Sequence, residues 1–529
     1  MPIRMVEDDP QGGGKKKRVR RKASGGNSMS GGGGLGGGIG KVAGVLLPML
    51  MKKPKLLIIV AVVGVVLFFV FGKGCDISGL SEKAGGISNF FRGGDLNKEV
   101  YEETEIYEPL AINDKKNPLP EKISLLKYAP KRRNQGKQGS CVAWASAYAA
   151  RTILESRRTG KKPDQVAFSA SFMYNQISLD HNTCQGSYIK LAMDNMYNQG
   201  AVPYKDFAYD QSSCSKDPSG TLKRKANGFK IKGFQRLTEA NQSNTAEMWS
   251  IKQNLSKGSP VVIGMMVGGS FMNKMMGKEF WFPTSADERK QGFGGHAMCV
   301  IGYDDFKEGG AFQIMNSWGE SWGKKGIFWM RYSDFKFFNV ESYGLYPMGD
   351  AKAKVETRFK GSFGLELNAG KKNIALKFMD GFYFETQSKL TSKDKFKVEF
   401  TNNIECYTYI FGEETDGSSY VLFPYTPKHS PYCGITGTRL FPRDHSMQPD
   451  ASGKKDKIAV LITKEPIDYS VVNKKITNAK GASFEEKVAN ALAGQYETNV
   501  RFTGGSGVVN FETSAQKGKG VAFVIGVNK

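Results

Sequence analysis

Apolar residues fall along this chain in three regimes. From Leu56 to Phe71 they run for sixteen residues without a charge. From Pro118 to about 348 they recur first at helical and then at strand spacing, and beyond about 352 they alternate with polar residues in short runs. The first regime approaches the shortest length that spans a bilayer as a helix. The second predicts helices followed by strands, an α+β arrangement with a helical lobe packed on a sheet lobe. The third predicts a β-sandwich.

Within the second regime, Ser140 is placed to cap a helix in which Ala143, Ala145, Ala147, Ala149 and Ala150 favour helical backbone to about Arg158, with Gly160 as its stop. Phe168 to Met173 and Ile189 to Met196 are further helical segments, the latter ended by Asn198-Gln-Gly200. Pro260 to Val267, Ala297 to Gly302 and Phe312 to Asn316 are short apolar strands. In the third regime, strands are expected at Ile374–Phe378, Phe396–Phe400, Tyr407–Phe411, Tyr420–Phe423, Ile458–Ile462, Asn499–Phe502 and Val521–Val527. Asp416-Gly417 marks a hairpin, and Ser483-Phe-Glu-Glu486 opens a helix with a capping-box pattern.

A length of 529 residues exceeds what one core supports, so several units are expected. The predicted organisation is a basic, Gly-rich disordered cytoplasmic tail (1–55), a transmembrane anchor (56–72), a polar stalk (73–117), a catalytic domain (118–350) and a β-sandwich domain (351–529) with a binding or positioning role. Net charge is +24, of which residues 1–55 carry +9. The run Lys15 to Lys22 taken alone resembles a nuclear address or nucleic-acid tail. It is followed instead by glycines, Lys52-Lys-Pro-Lys55 and the apolar run, with no nucleic-acid motif, so no nucleic-acid partner is expected. Basic residues on the N-terminal flank predict a single-pass membrane protein with a cytoplasmic N-terminus and an extracytoplasmic catalytic domain, periplasmic or extracellular. All seven cysteines follow the run. Export permits disulfides, and Cys184 with Cys214 and Cys406 with Cys433 are candidate pairs.

Chemistry points to Cys141. A cysteine at the first turn of a helix meets unsatisfied N–H groups and the positive end of the helix dipole, which favour thiolate. A thiol nucleophile needs a base and a group to orient that base. Of the four histidines, His296 stands in Gly292-Phe-Gly-Gly-His-Ala-Met298, entering a strand. His181 is expected in a surface loop, and His429 and His445 in exposed, Pro-rich turns. No cofactor is implied, and no His/Cys cluster has metal-ligand spacing.

Gln135-Gly-Lys-Gln-Gly-Ser-Cys141, Gly295-His-Ala297 and Asn316-Ser-Trp-Gly-Glu-Ser-Trp-Gly-Lys-Lys-Gly326 together resemble the papain-like cysteine peptidases. The resemblance implies the two-lobe papain-like fold, a polypeptide substrate, Cys141 as nucleophile, His296 as its base, Asn316 orienting the imidazole with Trp318 shielding that bond, and Gln135 as oxyanion donor. It further implies a cleft lined by Gln185, Gly186, Ser187, Gly294 and Gly295. Gly264, Gly294 and Ala297 would surround the pocket for the second residue before the scissile bond, where small walls leave room for a bulky apolar side chain. Gln138 stands where the family often has a cysteine, so Cys184 needs another mate, and Cys214 is available. Val142 replaces the usual aromatic after the nucleophile. Between Phe71 and Pro118 there is no recognisable inhibitory helix, so control of activity is expected to come from elsewhere. The last regime loosely resembles an uncharacterised β domain appended to bacterial peptidases, which implies a possible protein partner. An envelope scaffold and a peptide ligase using the same acyl-enzyme are the competing functions.

Overall fold

The computed structural model describes residues 1–8, 93–113, 115–238, 244–351, 358–514 and 518–529. The expected anchor at 56–72 lies outside these residues. Among the described residues no helix is long and apolar enough to cross a membrane.

Residues 118–350 build a papain-like pair of lobes. The helix opened at Cys141 continues through Trp144–Arg151, which takes π-helical hydrogen bonding, into Thr152–Thr159. It ends where Gly160 adopts left-handed backbone, φ 68°. Ala170–Ile177 and Ile189–Asn198 pack beside it. The facing lobe is an antiparallel sheet in the order Phe234–Arg236, Asn339–Leu345, Val261–Val267, Gly294–Asp304, Ala311–Met315 and Ile327–Arg331, with Lys122–Ser124 also paired to Gly294–Asp304. Alanines on the Cys141 helix let it approach the sheet closely, and one continuous apolar core joins the two lobes.

Residues 358–529, joined by Ile3–Glu7 as an edge strand, form two seven-stranded sheets around a second core. In Lys455–Thr463 the side chains of Ile458, Val460 and Ile462 enter that core. Ala459 and Leu461 point the other way, under helices Tyr469–Asn478 and Phe484–Ala491. Period-two alternation thus buries both faces of this strand. Among the strands that the pattern of polar residues hid are Phe359–Leu367 and Val508–Thr513, which pair with each other inside the other sheet.

Four expectations require correction. Residues 3–7 are not disordered tail: Ile3–Glu7 is a strand paired antiparallel with His445–Pro449, with Ile3 buried in the second core. The segment from 93 onward is not a stalk. Tyr101 is taken into the first core, and Leu110 packs with Tyr346 and Ile435 between the two domains. Ile106–Tyr107 pairs with His429–Ser430, which leaves His429 buried rather than exposed. Cys406 and Cys433 are thiols, not a disulfide. They face one another across an antiparallel ladder, where Cys433 Sγ lies 3.5 Å from Thr408 Oγ1.

The 104–117 segment sews the domains together. Asn117 Nδ2 donates to Ala111 O and Thr438 O, both at 2.9 Å, and its Oδ1 accepts from Thr438 N at 2.9 Å. Gln253 Nε2 reaches Leu110 O at 3.2 Å, and Arg439 Nε reaches Glu108 O at 2.9 Å. Lys116 Nζ stands between two buried carboxylates, 2.5 Å from Glu366 and also bonded to Glu399. Removing one partner of a buried ion group leaves the rest uncompensated. Lys116→Met is therefore expected to destabilise the 358–529 unit by about 3 kcal/mol, read as a lower urea midpoint at unchanged slope.

Candidate functional site

The helical lobe brings Cys141 to the face of its helix that meets the sheet lobe, and strand Gly294–Asp304 passes directly opposite. The Ala297 N–H points at Cys141 Sγ at 3.3 Å, which sets His296, one residue earlier, beside the sulfur. His296 Nε2 lies 2.8 Å from Asn316 Oδ1, and the Ser317 N–H donates to the same oxygen at 2.7 Å. With Oδ1 accepting from both, the imidazole carries its proton on Nε2. Trp318 stacks on the His296 ring, centroids 4.4 Å apart, and is itself packed among Phe271 and Trp322. Gln135 is fully buried. Its Nε2 donates to Gln138 O at 2.9 Å and its Oε1 accepts from Ser317 Oγ at 2.6 Å. The structure thus brings together Cys141, His296, Asn316, Gln135 and Trp318.

Ser140 does not cap its helix with its side chain. Its hydroxyl pairs with Tyr209 OH at 2.6 Å, and Tyr209 also bonds Gln135 O at 2.8 Å and Gln138 Oε1 at 3.0 Å. Gln138 Nε2 donates to Asp210 O and Ser213 O, both at 3.2 Å, so it ties down by hydrogen bonds the loop that carries Cys214. Cys184 and Cys214 form a disulfide with 5.8 Å between Cα atoms. Tyr209 carries no motif that would single it out in sequence, and Ser317, although inside Asn316-Ser-Trp, is assigned no role there.

The cleft is occupied by the chain itself. Residues 93–97 run through it: the Asp95 N–H donates to Ser187 O at 3.0 Å, the Ser187 N–H to Gly93 O at 2.9 Å, and the Gly94 N–H to Gly295 O at 3.2 Å. Gly94 and Ser187 are a parallel bridge. Gly93 lies so close to Gly139 that a Cβ would overlap the Gly139 backbone. Leu96 sits against Gly264 and Gly295; a Cβ on Gly264 would collide with its methyl, and one on Gly295 would lie 2.8 Å from its Cγ. Asn97 then caps the short helix Lys98–Glu102, and Tyr101 is locked edge-on to Tyr343 at 5.0 Å. Of the residues expected to line the cleft, Ser187, Gly264 and Gly295 touch this strap, Gly186 lies beside Gly93 and Ala297 beside Gly94. Gly294 pairs with Val267, Ala297 also faces the thiol, Gln185 is exposed, and Trp318 lies behind the histidine.

The strap changes the electrostatics. Burial pushes the Cys141 thiol up to about 12, although backbone hydrogen bonds from Ala297 and Gly93 pull in the other direction. Desolvation therefore outweighs the helix-start effect expected from sequence while the cleft is closed. Burial, with Asp95 beside it, pushes Glu341 up to about 8, so Leu96 shares its pocket with a carboxyl that is mostly uncharged at neutral pH.

The family model described as "Papain family cysteine protease" matches residues 121–348. That segment belongs to the papain family. An uncharacterized peptidase C1-like protein of Acanthamoeba polyphaga mimivirus is 27% identical over 214 residues, 40% of this chain and 67% of its own length. Cathepsin K of Mus musculus is 26% identical over 211 residues, 39% of this chain and 58% of its own, so the chain spans little more than half of that relative. Among solved structures, xylellain, a cysteine protease from Xylella fastidiosa, is 23% identical with a TM-score of 0.39, covering 49% of this chain and 95% of the other.

With a thiol at about 12, only about one sulfur in 10⁵ is ionised at pH 7. Alkylation of Cys141 in the intact chain is expected to rise about tenfold per pH unit from 7 to 10 without levelling near 8.5. Leu96→Glu, which expels the strap, is expected to speed labelling at pH 7 at least tenfold; peptide mass spectrometry after timed iodoacetamide exposure measures both.

Proposed function

We propose that this chain is a latent cysteine peptidase attached to a membrane through 56–71, with residues 93–97 as its plug. The observation that carries the catalytic assignment is the coupling of two contacts: Ala297 N to Cys141 Sγ at 3.3 Å and His296 Nε2 to Asn316 Oδ1 at 2.8 Å. In the opened cleft, His296 takes the Cys141 proton and the thiolate attacks the peptide carbonyl. Charge that develops on the carbonyl oxygen is met by the Cys141 N–H and the Gln135 amide. His296 then protonates the departing amine, and water releases the acyl group with the imidazole again as base. Asn316 keeps the proton on Nε2, so that the other ring nitrogen works at the sulfur.

The plug does not meet the thiol as a substrate. Gly93 offers Sγ a backbone hydrogen bond rather than a carbonyl carbon, and Leu96 enters the Gly264 pocket from the C-terminal side of Gly93, whereas the family resemblance assigns that pocket to a residue on the N-terminal side of a scissile bond. The strap therefore runs backwards and survives in place. Its leucine supports a preference for a bulky apolar residue at that position of the substrate.

Incubation of the full chain with a denatured protein and identification of products by mass spectrometry tests this reading. Leu96→Glu is expected to cleave, the wild type at least tenfold more slowly, and Leu96→Glu with Cys141→Ala not at all. Adding Gln135→Ala to Leu96→Glu should lower kcat by about 10²–10³. Cleavage that persists without Cys141, or an opened cleft that is alkylated at Cys141 yet cuts nothing, would overturn the assignment.

A further inference from the structure

The strand Ile3–Glu7 is held more elaborately than an incidental edge contact. Its register with His445–Pro449 is continuous, from Ile3 opposite Pro449 to Glu7 opposite His445. Tyr420 OH accepts from Ile3 N at 3.0 Å and donates to Ile3 O at 2.8 Å, and the Asp450 N–H bonds Pro2 O at 2.7 Å. Ile3 is fully buried and Met5 packs against the same core. At the other end Lys397, a buried cation, meets Asp8 at 2.7 Å and bonds Pro442 O and Arg443 O. The 358–529 unit thus presents an edge, an apolar socket and a buried ammonium, each completed by residues 2–8.

This bears on which side of the membrane the N-terminus occupies. Paired strands bring Cα atoms within about 5.5 Å, whereas a hydrocarbon core is about 30 Å thick. A single crossing by 56–71 puts residue 3 and residue 449 on opposite faces and cannot coexist with their pairing. We infer that residues 3–7 are the edge strand of their own chain's C-terminal domain in the membrane-attached protein, so that the N-terminus lies on the same side of the membrane as the peptidase. This rests on the membrane attachment proposed above but not on the catalytic assignment.

Arg4 and Gln448 face each other across the ladder, with Arg4 Nη2 3.1 Å from Gln448 Oε1, and supply the test. The full chain with Arg4→Cys and Gln448→Cys, in a Cys75→Ser background, is expressed, membranes are isolated, and the sample is oxidised without detergent. The expected result is a 4–448 disulfide within single chains in most of the material, monomeric on a non-reducing gel and located by peptide mapping. A membrane fraction without the link, or one linked only between copies, overturns the inference. An arm independent of strand pairing uses Arg4→Cys and Lys161→Cys singly in sealed vesicles with an impermeant maleimide. Both positions are expected to label from the same side, and labelling from opposite sides overturns the proposal whatever the cross-link shows. Proteolytic activity is read separately and does not enter either outcome.

Discussion

The approach of one extended backbone to three others governs the peptidase. Gly93 and Gly94 lie against Gly139, Ser187 and Gly295 at distances that leave no volume for a side chain on the facing glycines. Those contacts remove water from Cys141, and removal of water, more than any neighbouring charge, sets the state of its sulfur. A single geometric fact therefore controls access to the site and its chemistry together. Whatever withdraws the strap both admits a peptide and restores the hydration and dipole effects that ionise the thiol.

The strap is also mechanically continuous with the rest of the molecule. Tyr101 fixes it to the sheet lobe a few residues downstream, and the 104–117 segment then bonds both to the peptidase, through Gln253, and to the C-terminal domain, through Thr438 and Arg439. Among the described residues, none of the cleft contacts given above comes from the C-terminal domain. Its bearing on the site is through this seam, which holds the downstream end of the strap at a fixed distance from the pocket that receives Leu96.

Much of the site was legible in sequence because its parts are local motifs with steric reasons behind them. Cys141 at a helix start, Gly295-His296 entering a strand, and Asn316-Ser-Trp each occupy a position where only a few residue types work. The helix stop at Gly160 was legible for the same reason. The strap was not, because Gly93-Gly94-Asp95-Leu96 is short, polar and without period; its meaning lies in partners scattered from Gly139 to Gly295. Ile3–Glu7 was hidden in the same way, since the exposed Arg4 and Glu7 disguise a short strand that gives only Ile3 and Met5 to the core. Local pattern also misread Cys406 and Cys433, whose spacing suggested a bond that their shared ladder position does not require.

The separation of these two contacts along the chain has a temporal consequence. Tyr420, which holds Ile3, is 417 residues downstream of it, so at ordinary elongation rates of about 5–20 residues per second its partner emerges roughly 20–80 s later. The acceptors of residues 93–97 are all translated before the C-terminal domain begins. A nascent peptidase can therefore be stoppered while still on the ribosome, long before its first residues find their place.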